Sequence, residues 1–118
     1  MPSKFVGHFF KLHSGRESYE IYYAESPLIF PIATMLEEKF NLETDRQPLF
    51  GLDGTYLSLI RETDSISLTL GWDNWSGVFV MAENTNSDSI VKEIGEYLNS
   101  ILSKLEKMNE EFLVDDEK

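Results

Sequence analysis

The strongest periodic signal lies near the end of the chain. Ile90, Val91, Ile94, Tyr97, Leu98, Ile101, Leu102, Leu105 and Met108 recur at helical spacing, which predicts one amphipathic helix with a single apolar stripe. Lys92, Glu93, Glu96, Asn99, Ser103, Lys104 and Glu106 take its wet face, and Ser87, Asp88 or Ser89 stands where a cap is needed. Gly95 weakens such a helix by about 1 kcal/mol relative to Ala, so close packing on a sheet is its expected reason. Residues 109–118 carry Glu110, Glu111, Asp115, Asp116 and Glu117 and read as an acidic, solvated tail after a body spanning 1–108.

A period of two governs the middle of the chain. Ile66, Leu68, Leu70 and Trp72 alternate with Ser67, Thr69 and Gly71, which predicts an antiparallel strand with one buried face. Flanking runs over 56–61 and 78–82 complete a three-strand meander, with turns at 62–65 and 73–77. Before it, residues 42–54 read as irregular, punctuated by Pro48, Gly51 and the Asp53-Gly54 pair.

The first segment, residues 4–12, can be read at helical spacing, but its aromatic content and Gly7 favour a strand. Residues 18–24 alternate Tyr19, Ile21 and Tyr23 against Glu20 and Tyr22, and the two segments form an expected hairpin around the turn at 13–16. Ser26-Pro27 then opens a helix carrying Ile32, Met35, Leu36 and Phe40, which Asn41 closes in a left-handed conformation. The expected order is β-β-α-β-β-β-α. It predicts an α+β fold with a single mainly antiparallel sheet and helices packed on one face.

Length and charge narrow the function. The 118 residues suit one domain. With no cysteine, disulfides, thiol catalysis and Cys-ligated zinc are excluded. His8 and His13 make a poor metal pair. Glycine-rich phosphate loops and nucleophile elbows are absent from the sequence, so no enzyme and no cofactor is expected. No apolar run approaches a membrane span, and the first residues do not resemble a signal peptide; a cytoplasmic protein that does not engage a membrane is expected. The formal net charge is −11, which repels nucleic acid and steers a basic protein partner inward.

Candidate partner-binding residues follow from that charge. Asp45, Asp53, Asp64 and Asp73 fall in expected loops, where a charge can face a partner, although each also has a local reason to sit in a turn. Trp72 continues a buried alternation, whereas Trp75 stands in a polar turn and suits an interface anchor. Tyr22 and Glu20 share a strand face that could bind an Arg-rich partner. Sugar stacking on Trp75, and a self-assembling subunit whose long helix pairs in a homodimer, are the other readings.

In size, acidity, absent cysteines, a meander ending in Trp72-Asp73-Asn74-Trp75-Ser76-Gly77 and a long closing helix, the chain resembles the small acidic immunity proteins of bacterial polymorphic-toxin and contact-dependent growth inhibition systems. The likeness spans residues 4–108 and is one of general plan, so no functional residue carries over. It implies a cytosolic protein that binds and blocks a cognate toxin domain, often a nuclease. Such a partner must be basic to hold phosphates.

Overall fold

In the computed structural model, which describes residues 5–44, 47–51 and 54–116, the chain begins with strands β1 (Gly7–Lys11) and β2 (Glu17–Ile21). A 3-10 turn at Ser26–Leu28 leads into α1 (Ile29–Phe40), with Pro27 in that turn. Strands β3 (Leu49–Phe50), β4 (Gly54–Arg61), β5 (Ile66–Asp73) and β6 (Gly77–Ala82) follow, then helices α2 (Asp88–Ser100) and α3 (Leu102–Asp116). The six strands form one antiparallel sheet in the order β1-β2-β6-β5-β4-β3. The fold is α+β, and the first segment is a strand. Asn41 closes α1 with φ 57° and ψ 42°.

The register explains the core. Tyr19 lies across from Val80, Val80 from Leu70, and Leu70 from Leu57. Ile21, Val78, Leu68, Ala82 and Leu59 share their face, and all of these residues are buried. Helix α2 covers this face over β1, β2 and β6, and α1 reaches β5. At Gly95 a Cβ atom would stand 2.3 Å from the Phe9 ring and 2.8 Å from that of Tyr19. The glycine therefore allows the close helix–sheet contact that its place in the stripe implies. The buried Tyr19 hydroxyl donates to Asn99 Oδ1 at 2.6 Å, and burial pushes its pKa upward.

Several local expectations are corrected. The irregular stretch 42–54 contains β3 and a bridge between Glu43 and Ile60. Strand β2 ends at Ile21, and Tyr23 leaves the buried alternation with φ 71° and 74% exposure. The long apolar stripe belongs to two helices, because Ile101 takes φ −124° and ψ 20°, outside the helical region, and interrupts the helix. A stripe tolerates this break because both pieces keep Leu98 and Leu105 buried. Helix α3 then runs on to Asp116, and Asn109, the first residue of the expected tail, is buried. Ser87 makes no side-chain cap to α2; its hydroxyl donates to Asn84 and accepts from the Ser67 amide.

Candidate functional site

Among the described residues no helix packs on the sheet's other face, and a cleft of about 580 Å³ opens where β2 leaves it beside the β5–β6 turn. Gly77 permits the approach that forms its base. Its φ is +73°, and an added Cβ would lie 2.2 Å from the Ile21 carbonyl oxygen, so a side chain is excluded by both strain and contact. Asp73 folds the turn above it: Oδ1 accepts from the amides of Trp75 at 2.9 Å and Ser76 at 2.6 Å. This is the local chemistry that favours Asp in turns.

The opposite wall is the stretch from Tyr22 to Glu25. It is held from two sides. Trp72 Nε1 donates to the Ala24 carbonyl at 2.8 Å, and the Glu25 amide donates to Asn109 Oδ1 at 2.8 Å. The first bond comes from the sheet and the second from α3. Tyr23 keeps a left-handed backbone within this wall, a conformation unusual for a bulky residue. Tyr22 stacks on His8 with ring centroids 4.5 Å apart.

Four expected site residues, Glu20, Tyr22, Asp73 and Trp75, line this one cleft. Glu20 and Asp73 project from the open face on β2 and β5, with β6 between them. Desolvation raises the Glu20 pKa; Ser76 opposes this by hydrogen bonding, Asp73 adds to it by repulsion, and His8 opposes it. Ser76 thus meets Asp73 through its amide and holds down the Glu20 pKa through its side chain. Glu25 lines the same space, and no lysine or arginine does so among the described residues. The two tryptophans take different roles: Trp72 is half-buried against the core, whereas Trp75 is 75% exposed.

Asp64 stands apart. It sits in the turn between β4 and β5, at the far end of eight-residue strands from Asp73, a distance of about 25 Å at the usual strand rise. Arg61 meets both of its oxygens, Nε at 2.9 Å and Nη2 at 2.8 Å. That hydrogen bonding holds the Asp64 carboxyl below its ordinary range. Its charge is answered within the chain. Asp45 and Asp53 lie outside the described residues.

Sequence reasoning did not find Tyr23, Glu25, Ser76 or Asn109. Nothing in the local pattern marks the left-handed Tyr23, and Asn109 read as part of a polar tail because the break at Ile101 is invisible in an unbroken stripe. Among the described residues no group of three or more His, Asp or Glu could hold a metal ion, and no helix is long and apolar enough to cross a membrane. No known protein family matches the chain, and no curated protein and no solved structure matches it significantly.

Proposed function

We propose that this chain is a non-catalytic binding protein that captures a basic partner protein, in the manner of an immunity protein neutralising its cognate toxin domain. The observation that supports it most is the convergence of Glu20, Asp73, Tyr22 and Trp75 on one cleft lined by no lysine or arginine among the described residues, in a chain of net charge −11. An exposed Trp beside carboxylates has the makings of an interface anchor with a polar rim. The surrounding field raises the encounter rate with a cation-rich surface. A nuclease domain is one such surface, and an acidic protein would occupy it in place of nucleic acid.

The same rings could stack on a sugar, since about 580 Å³ falls within the range of small-molecule sites. Three carboxylates, Glu20, Glu25 and Asp73, in the lining weigh toward a cation. The test is to look for a larger reading frame beside this gene, as an immunity protein should have, and to measure association kinetics with its product. An on-rate that falls steeply with salt supports the proposal. Formation of no complex, or an on-rate indifferent to salt, contradicts it.

A further inference from the structure

We propose that the cleft is a receptor for a single arginine side chain, with the guanidinium held between Glu20 and Asp73 and stacked against the exposed rings of the rim. The inference rests on the basic-partner reading and deepens it. The carboxylates come from different strands, so their meeting in one cleft is a property of the sheet register rather than of a charge run: Glu20 lies across from Phe79 and Asp73 across from Gly77, two residues along the intervening strand β6. Ser76 ties the turn to Asp73, its amide donating to Oδ1, and lines the same cleft as Glu20. Among the described residues the hydrogen bonds to Asp73 fall on Oδ1, and an incoming donor would be met by Oδ2.

The rings supply the second half of the receptor. Trp75 and Tyr23 are 75% and 74% exposed, yet both border the cleft. Exposed aromatic faces beside carboxylates attract a cation through the ring quadrupole as well as through charge. Arginine fits better than lysine for three reasons. Its planar fork of donors can reach two acceptors at once. Its flat face stacks on an aromatic ring. Its weak hydration makes entry into a partly desolvated site less costly than for an ammonium. The repulsion between Glu20 and Asp73 is relieved by a cation placed between them.

The test uses two peptides of equal length and charge, one alternating Arg with Gly and one alternating Lys with Gly. Binding is followed by the amide and indole NMR shifts of the whole protein. The Arg peptide is expected to bind roughly tenfold more tightly, with the largest shifts at Ser76 and the Trp75 indole. Trp75→Ala and Glu20→Gln should each remove most of that preference, and Asp64→Asn should retain it; melting curves establish that each variant is folded. Equal binding of both peptides at the cleft overturns the arginine assignment and leaves the basic-partner reading standing. A preference for Arg that survives Trp75→Ala and Glu20→Gln overturns it as well. Shifts from neither peptide at the cleft overturn the arginine receptor and count against the cleft as the partner's site.

Discussion

Trp72 and Trp75 are three residues apart and lie on two sides of a boundary. Trp72 packs half-buried against the core and meets the cleft from its inner side, with its indole N–H committed to the Ala24 carbonyl. Trp75 stands in the turn beyond, three-quarters exposed, with its amide committed to Asp73. The helix-covered face of the sheet and the cleft at its edge therefore spend the same residue type differently. Burial on the first face stabilises the fold. On the second, exposed apolar rings and crowded carboxylates contribute little to stability, and a partner gives them something to contact. If this division is right, substitutions should separate into those that unfold the protein and those that only weaken binding.

The largest expected effect is on the covered face. Leu98 is fully buried in the centre of the stripe, and Leu98→Ala should cost about 2–5 kcal/mol of stability. Against a typical total of about 5–15 kcal/mol, the variant should be marginal in a denaturant titration. A midpoint equal to the parent's would mean that α2 does not carry the core.

Trp72→Ala comes next, at about 3 kcal/mol or somewhat more. It removes buried ring surface and leaves the Ala24 carbonyl without its donor. Because that bond also pins the cleft wall, both melting temperature and binding should fall. A loss of binding with no loss of stability would place Trp72 on the wrong side of the boundary.

The division was partly legible in the sequence. The alternation from Ile66 to Trp72 named the buried face of β5 correctly, and the polar company of Trp75 set it outside the core. What could not be read was adjacency. Tyr22 and Glu20 formed one candidate and Asp73 and Trp75 another, and only the pairing of β2 with β6 brings them together. Long-range strand pairing leaves no local mark. Asp64 illustrates the converse: it looked like its loop companions, but Arg61, three residues earlier, answers its charge. The break at Ile101 was hidden for a related reason. A helical stripe fixes which residues are apolar, not whether the helix is continuous, and it is the second helix that carries Asn109 to Glu25 in the cleft wall.

Trp75→Ala should leave stability within about 0.5 kcal/mol of the parent, as for other exposed positions. Binding to the basic partner should weaken by about 2 kcal/mol, the size of a hot-spot loss. Calorimetry of the complex beside thermal melts of the free variant separates the two quantities. A large drop in the melt would return Trp75 to the core.

The smallest effect is on Glu20 and has a defined sign. Desolvation, with repulsion from Asp73, raises its pKa in the folded chain against the opposing influence of Ser76 and His8. Between the unfolded and folded pKa values the native state binds more protons, so this group's contribution is fully present below the unfolded value and is lost as pH rises through the raised one. Glu20→Gln should therefore melt slightly above the parent at about pH 7, with the gap closing toward about pH 4. The same variant should bind the partner less well. A carboxylate that weakens the fold and strengthens the complex is what the comparison between the two regions requires of a cleft residue.

The most direct test reads both tryptophans at once. The two indole N–H groups give separate signals in a proton–nitrogen correlation spectrum, to which the basic partner or the arginine peptide can be added. The Trp75 signal should move while the Trp72 signal, held by Ala24, stays nearly fixed. The movement should vanish at about 1 M salt, where charges are screened beyond about 3 Å. Shifts concentrated at the Arg61–Asp64 turn, with Trp75 unmoved, would contradict the assignment of the cleft as the binding site.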